Sequence, residues 1–180
     1  MSQAESYYKE LLQGAQRDSD ILGLILDGSR GKGFANAYAD YDISLIVHDR
    51  ALDRVKAAYQ HPPAMIEVFV YTLDQFNALA AWGGETAWDR YNYTHLVAQI
   101  DKLNGHIQAL IEEKGRIPSD KVTGVINHSL DHYINQVYRS LKCLRIGDMI
   151  GYHFEASESI RPLLTAMFAL HDGRLLPYYK

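Results

Sequence analysis

The chain has 180 residues, of which 47% are hydrophobic and 22% charged, and its formal net charge is −4. This length allows one domain or two small ones, and the single cysteine, Cys143, excludes an internal disulfide and favours a reducing compartment. The polar N-terminus predicts no signal peptide, and no apolar run approaches the ~18 residues that span a bilayer, so we expect a cytoplasmic protein that does not enter a membrane.

Helices and strands are mixed over the first 115 residues. A continuous apolar run predicts a buried strand at 21–26, and runs rich in β-forming residues predict strands at 41–47 and 65–71. Helical spacing of apolar residues, together with capping and turn residues, indicates most of the remaining elements. These are helices at 4–17, 53–59, 73–82 and 103–114, and a fourth strand at 94–101.

The rest of the chain reads as helical. A long helix is predicted from 118 to 146, Gly147 and Asp148 interrupt the pattern, and a last helix is predicted from 149 to 171. Strands with helices therefore come first and helices alone follow. This order indicates an α/β domain over residues 1–115 and a helical domain over residues 116–180.

Two aspartates, Asp40 and Asp42, open the second predicted strand. Strand side chains alternate, so residues two apart lie on one face, and Ser44 is next along it. Neighbouring carboxylates repel each other unless a cation lies between them. Mg²⁺ prefers oxygen ligands and commonly joins protein carboxylates to substrate phosphates. The pair therefore predicts a magnesium site.

A turn suited to phosphate follows the first predicted strand. Gly28 and Ser29 supply backbone N–H groups and a hydroxyl, and Arg30 and Lys32 add positive charge. A third acid, Glu67, is the only charged residue in the strand 65–71, where an unpaired carboxylate is costly to bury. If that strand lies beside the second, Glu67 joins Asp40 and Asp42, as in a two-metal transfer site.

Simpler interpretations stay open for each of these residues. Asp40 and Asp42 are also typical of a solvated turn that enters a strand, and Glu67 is also compatible with an edge strand that faces water. Arg30 and Lys32 are compatible with loop solvation. His128 and His132 have metal-ligand spacing, but without an evident third ligand they favour a surface or domain-interface pair.

The combination of Gly28-Ser29-Arg30 with Asp40-Tyr41-Asp42 on consecutive strands resembles the nucleotidyltransferase superfamily that includes DNA polymerase β. Within that superfamily, the combination of Gly28-Ser29-Arg30 with Asp40-Tyr41-Asp42-Ile43-Ser44 is most similar to the antibiotic adenylyltransferases, especially the streptomycin group. Residues 138–142 and 176–180 resemble the helical C-terminal domain of those enzymes. The resemblance implies an α+β fold, with a nucleotidyltransferase-type mixed sheet, flanking helices and a C-terminal helical domain.

The resemblance also implies a reaction. Asp40 and Asp42 would hold Mg²⁺ against the phosphates of a nucleoside triphosphate, usually ATP, and Ser29 with its neighbouring backbone would bind the outer phosphates. A hydroxyl of a small molecule, such as an aminoglycoside, would attack the α-phosphate and release pyrophosphate. Glu67 would be either a metal ligand or the general base. Further nucleotide contacts are expected from Lys142, Tyr179 and Lys180.

Two other functions remain open at this stage. One is modification of a protein or an RNA by an enzyme of the same fold, as in nucleotidyltransferase antitoxins. The sequence shows no basic track for RNA, and the acidic balance argues against a general affinity for nucleic acid. The other is a nucleotide-binding protein without catalytic activity, because a fold alone does not establish activity. The sequence does not indicate the oligomeric state.

Overall fold

A computed structural model describes residues 2–177, and the chain divides into two compact units, Met1–Gly115 and Arg116–Lys180. The strands are β1 (Ile21–Leu26), β2 (Tyr41–Val47), β3 (Ile66–Thr72) and β4 (Ala98–Asp101). The helices are α1 (Gln3–Arg17), α2 (Gly28–Gly31), α3 (Leu52–Ala58), α4 (Leu73–Ala78), α5 (His106–Lys114), α6 (Val122–Arg145) and α7 (Met149–Leu170). Two 3-10 segments, Asp49–Ala51 and Ala87–Tyr93, complete the first unit.

The first unit contains one four-stranded sheet with the order β3-β2-β1-β4. The central strands β1 and β2 are antiparallel, β4 is antiparallel to β1, and β3 is parallel to β2. The sheet is therefore mixed, and helices flank it. Helices alone make up the regular structure of the second unit within residues 116–177. The predicted α+β fold is confirmed.

A hydrophobic core lies on each face of the sheet. On one face, alternate residues of β2 such as Ile43 and Leu45 pack with Leu11 of α1 and Val55 of α3. On the other face, Ile46 belongs to a second core, with residues of α4, α5 and the 3-10 segment Ala87–Tyr93. Side chains of β2 thus alternate between two buried layers. The carboxyl-bearing residues described below share the second of these faces.

A β-bulge in β1 sets which face its last residues occupy. The register with β2 shifts between Ile21 and Gly23. After this shift, Leu24 lies in the same core as Ile21, and Ile25 lies in the opposite one. Because one extra residue reverses the alternation, residue 27 is brought to the face that carries residue 42.

Four predicted elements are shorter in the structure than in the sequence analysis by three or more residues. The helices expected at 103–114 and 118–146 begin only at His106 and Val122. The helix expected at 73–82 ends at Ala78, because the buried Lys114 ammonium binds the carbonyls of Asn77 and Leu79 at 2.8 and 2.6 Å. The strand expected at 94–101 begins only at Ala98, after His95 with a φ of 66°. Residues before it form a 3-10 segment that periodicity did not indicate.

In the second unit, α6 and α7 pack against each other as a helical hairpin connected by residues 146–148. A cross-helix ion pair joins Arg139 to Glu155 at 2.6 Å. The backbone N–H of Gly151 binds the side chain of Asp148, which caps the start of α7. Within the described part of the chain, no helix has the length and apolar character needed to cross a membrane.

Candidate functional site

Three acidic residues lie in a row across three neighbouring strands of the sheet. Asp42 of β2 is paired with Glu67 of the parallel strand β3. On the other side, the backbone N–H of Asp27, directly after β1, donates to the carbonyl of Asp42 at 2.7 Å. Paired residues of adjacent strands present their side chains on the same face. The sheet therefore brings Asp27, Asp42 and Glu67 together, which we call the acidic row.

The predicted phosphate turn lies against the middle of the acidic row. Gly28 has a φ of 61°, and a Cβ added to it would lie 2.3 Å from Oδ2 of Asp42. Only a residue without a side chain allows the backbone and this carboxylate to approach so closely. Ser29 follows in the single turn of α2, and among residues 2–177 its hydroxyl has no hydrogen-bond partner.

The electrostatics of Asp42 reflect its neighbours. Burial raises the pKa of the Asp42 carboxyl, and the charges of Asp40 and Glu67 raise it further. Asp40 is exposed and directly precedes β2, and Glu67 is exposed on the edge strand β3. A half-buried carboxylate close to two others is a site that a cation would stabilise. An exposed edge strand was the simpler interpretation of Glu67, and Glu67 is exposed on such a strand. The same position also places Glu67 beside Asp42.

Asp27 is a site residue that the sequence analysis missed. Its carboxylate Oδ2 accepts a hydrogen bond of 2.5 Å from the Ser44 hydroxyl. Burial raises the pKa of Asp27 to about 7, and the charge of Asp42 contributes to the increase. A strand-ending Asp before a glycine is an ordinary turn signal. Only the neighbouring position of β1 and β2, together with the bulge, shows that it faces the other acids.

The raised pKa of Asp27 predicts a specific pH dependence of stability. An unfolded Asp loses its proton near pH 4, whereas folded Asp27 keeps its proton until about pH 7. The folded state therefore binds more protons between these values, and the free energy of unfolding should fall as the pH rises from about 4 to 7. Asp27→Asn removes this dependence, so its stability relative to the wild type should increase over the same range.

The measurement is urea unfolding at a series of pH values. We expect the difference between Asp27→Asn and the wild type to grow to on the order of a few kcal/mol and to level off above pH 7. The exposed Asp74→Asn serves as the matched control and should track the wild type. Identical pH profiles for Asp27→Asn and the wild type would refute the burial of this carboxyl.

Arg30 lies near the site but is engaged by the protein itself. Its guanidinium donates to the carbonyls of Ala39 and Asp40, the shortest contact being 2.7 Å, and lies 4.0 Å from the ring centroid of Tyr41. Arg30 thus holds the segment that carries Asp40. Its contact with a nucleotide remains a prediction.

Lys32 is directed into the first unit. Its ammonium donates to the Tyr91 carbonyl at 3.2 Å, and its charge lowers the pKa of both Asp27 and Asp89. Burial in turn lowers the pKa of Lys32 itself. Lys32 therefore links the loop after α2 to the 3-10 segment Ala87–Tyr93. This contact contradicts the simpler interpretation of Lys32 as a solvated loop residue.

Other predicted nucleotide contacts fall outside the first unit. Lys142 belongs to α6, where its ammonium lies 4.4 Å from the ring centroid of Tyr138. Tyr179 and Lys180 lie outside the described residues. His128 and His132 are exposed on α6 with ring centroids 6.5 Å apart. The nucleotide contacts of Lys142, Tyr179 and Lys180 remain predictions.

The acidic residues suit a magnesium ion by their chemistry, because every donor is a carboxylate oxygen. Within residues 2–177 the structure contains no group of three or more His, Cys, Asp or Glu side chains arranged to hold a metal ion. Mg²⁺ is usually bound through one or two protein carboxylates, with phosphates and water as its other ligands. Asp40 and Asp42 are two carboxylates of this kind, and the charge of Asp40 acts on the Asp42 carboxyl, so their chemistry is compatible with this smaller requirement.

A groove of about 440 Å³ runs along the edge strand next to the acidic row. Glu67 and Tyr71 of β3 line it, together with Lys56 and Tyr59 at the end of α3. The volume is in the range of small-molecule sites. Its walls combine a carboxylate, an ammonium and two phenol rings, which are groups that bind polar ring compounds.

No family model and no curated protein matches the chain. Ten chains of solved structures match, among them a nucleotidyltransferase-like protein from Exiguobacterium sibiricum, at 8% identity and a TM-score of 0.44. That match covers 94% of this chain and 58% of the other, so the chain spans less than two thirds of that protein. A likeness at this identity and score does not establish an activity.

Proposed function

We propose that this chain is a magnesium-dependent nucleotidyltransferase that transfers AMP from ATP to a hydroxyl of a small molecule. The observation that carries the proposal is the contact between the Gly28 backbone and the Asp42 carboxylate. It joins a turn suited to phosphate with a pair of carboxylates suited to a divalent ion. The pairing of β1 with β2 brings these two parts together.

Each residue of the site has a distinct task in this reaction. Asp40 and Asp42 would hold Mg²⁺, which would neutralise charge on the triphosphate as pyrophosphate leaves. The Ser29 hydroxyl and the adjoining backbone N–H groups would bind the outer phosphates. Arg30 would keep Asp40 in place through the carbonyls that it binds. Asp27 and Ser44 would support Asp42 from the neighbouring strand.

Glu67 is proposed as the general base. It is exposed, lies beside Asp42 and lines the groove along β3, so an acceptor in the groove can approach its carboxylate. A base must reach the hydroxyl that it deprotonates within ~3 Å or through one water molecule. Glu67→Gln should therefore lower turnover by roughly a hundredfold and leave binding of Mg²⁺ and ATP intact. Loss of Mg²⁺-dependent ATP binding in this variant would instead make Glu67 a metal ligand.

The acceptor is proposed to be a hydroxylated ring compound, and aminoglycosides are the first class to test. The groove has a suitable volume and two tyrosine side chains for stacking on a sugar ring. The neighbouring carboxylates, together with the net charge of −4, favour a cationic acceptor.

The experiment is a pyrophosphate-release assay with ATP, Mg²⁺ and a panel of aminoglycosides and neutral sugars. We expect release that requires an acceptor and stops when EDTA removes the ion. Labelling of a protein or RNA from α-labelled ATP, with no small acceptor active, would favour modification of a macromolecule. ATP binding without turnover on any acceptor would favour a non-catalytic nucleotide-binding protein. Absence of ATP binding would exclude all three.

A further inference from the structure

The side chain between the two aspartates, Tyr41, lies on the other face of the sheet from the acidic row. Tyr41 is 7% exposed and belongs to the first hydrophobic core. Strand side chains alternate, so the residue between two carboxylates that share a face reaches the opposite face. The buried ring is therefore attached to the backbone of the proposed metal ligands and does not face the ion.

Two side chains from other elements contact the Tyr41 ring. The ring of Tyr8, on α1, is stacked on it with centroids 5.1 Å apart and an angle of 30° between the planes. The Arg30 guanidinium, on α2, lies 4.0 Å from the Tyr41 centroid, within the range of a cation–π contact. We call Tyr8, Tyr41 and Arg30 the Tyr41 stack. It connects the first helix of the chain with the turn that carries Ser29.

Arg30 also binds the backbone that leads into β2. Its Nη2 donates to the Ala39 carbonyl at 2.7 Å, and its Nε donates to the Asp40 carbonyl at 2.9 Å. A guanidinium can contact an aromatic ring through its planar face while the N–H groups at its edge donate hydrogen bonds. The ring contact and the hydrogen bonds of Arg30 can therefore stabilise each other.

Asp40 depends on this support more than Asp42 does. Asp42 lies within β2, a strand that is paired on both sides, and its carbonyl accepts from the backbone N–H of Asp27. Asp40 instead precedes the strand and follows an exposed segment, residues 33–38. Exposed connecting segments are more mobile than strands. The position of the Asp40 carboxylate therefore depends on the contacts that Arg30 makes.

We propose that Tyr8 and Tyr41 are positioning residues that fix Asp40 for the divalent ion through Arg30. This role rests on the proposed function, in which Asp40 and Asp42 hold Mg²⁺. Two ligands bind an ion more tightly when both are held in place before the ion arrives. Residues that orient metal ligands without touching the ion typically change metal affinity by about ten- to a hundredfold. Tyr8 exerts this effect from α1, a helix that provides none of the proposed ligands.

The test is calorimetric titration of the chain with a non-hydrolysable ATP analogue at a series of Mg²⁺ concentrations. In Tyr8→Leu we expect the Mg²⁺ concentration for half-maximal nucleotide binding to rise about tenfold. Tyr8→Phe keeps the stacked ring and should match the wild type. Tyr7→Leu is the matched control, because Tyr7 is half-buried on α1 and packs against the same core but is not part of the stack. It should lose comparable stability in urea and keep the wild-type Mg²⁺ requirement.

Arg30→Lys tests the link between the Tyr41 ring and Asp40. Lysine keeps the charge but lacks the planar fork that binds two carbonyls. The Mg²⁺ requirement should therefore rise at least as much as in Tyr8→Leu. A second measurement needs neither metal nor nucleotide, since NMR follows solvent exchange of the Arg30 Nε–H, which donates to Asp40. This exchange should be faster in Tyr8→Leu than in the wild type and unchanged in Tyr7→Leu.

The outcomes separate the role of the stack from the proposed function. An unchanged Mg²⁺ requirement in Tyr8→Leu or Arg30→Lys, or an equal increase in Tyr7→Leu, would overturn the role of the stack and leave the proposed function standing. Equal exchange of the Arg30 Nε–H in Tyr8→Leu and the wild type would overturn that role as well. A wild type that binds no analogue at any Mg²⁺ concentration would contradict the proposed function itself, and with it the effect of the stack on the ion.

Discussion

Asp42→Asn is expected to reduce nucleotidyl transfer by about a thousandfold, which corresponds to roughly 4 kcal/mol of transition-state stabilisation. Asp42 is the middle member of the acidic row and the carboxylate against which Gly28 lies. An amide keeps its shape but lacks the charge that a divalent ion requires. The measurement is acceptor-dependent pyrophosphate release under saturating ATP and Mg²⁺.

The same substitution should not destabilise the fold. The pKa of Asp42 is raised by burial and by Asp40 and Glu67, so the ionised carboxylate costs stability at neutral pH. This cost is absent below the pKa of an unfolded Asp and is complete once the pH exceeds the folded pKa. Asp42→Asn should therefore be at least as stable as the wild type at pH 7 and should lose the thermal stabilisation by Mg²⁺ and ATP.

The exposed Asp53→Asn is the control for Asp42→Asn. It changes the net charge by the same amount on α3, away from the acidic row, and should keep wild-type turnover. An active Asp42→Asn enzyme would contradict the proposed reaction. An inactive variant that also unfolds at lower denaturant concentration would show that Asp42 acts through the structure, and would leave its part in the chemistry unsupported.

Gly28→Ala is expected to lose both stability and activity. At a φ of 61° any residue with a Cβ costs about 1–2 kcal/mol. The added methyl carbon would also lie 2.3 Å from the Asp42 carboxylate, so either the turn or the carboxylate must move. A shift of about 1 Å in a catalytic group can reduce a rate about a hundredfold. Urea unfolding and the pyrophosphate assay measure the two effects.

Gly33→Ala separates the two contributions. Gly33 has a φ of 77°, and a Cβ added to it would meet no atom within 4 Å. This variant should lose about 1–2 kcal/mol for the backbone alone and keep its activity. Equal activity losses in both variants would mean that backbone strain, and not the contact with Asp42, accounts for the effect of Gly28→Ala.

The sequence predicts the strands well where apolar residues are continuous. The strands at 21–26 and 41–47 agree with the structure in both bounds. The first is a continuous apolar run, and the second is rich in β-forming residues and mostly buried despite Asp42 and Ser44. The pairing of Asp42 with Glu67 follows the expectation that the third strand lies beside the second. Those parts of the site depend on local pattern and strand adjacency, and both are visible in the sequence.

The missed parts depend on contacts between distant residues. Simple alternation from Ile21 would place Asp27 on the face opposite Asp42, and the bulge near Gly23 reverses this. The early end of α4 depends on Lys114, which is more than thirty residues further along the chain. The charge of Arg30 is visible in the sequence, whereas the carbonyls of Ala39 and Asp40 that it binds are not.

The most direct test of the site is a crystal structure of the chain with Mg²⁺ and a non-hydrolysable ATP analogue. We predict that carboxylate oxygens of Asp40 and Asp42 contact the ion, and that the outer phosphates lie against Ser29 and the Gly28 backbone. A nucleotide bound elsewhere on the protein, or an ion that leaves Asp42 without a contact, would contradict the proposed function.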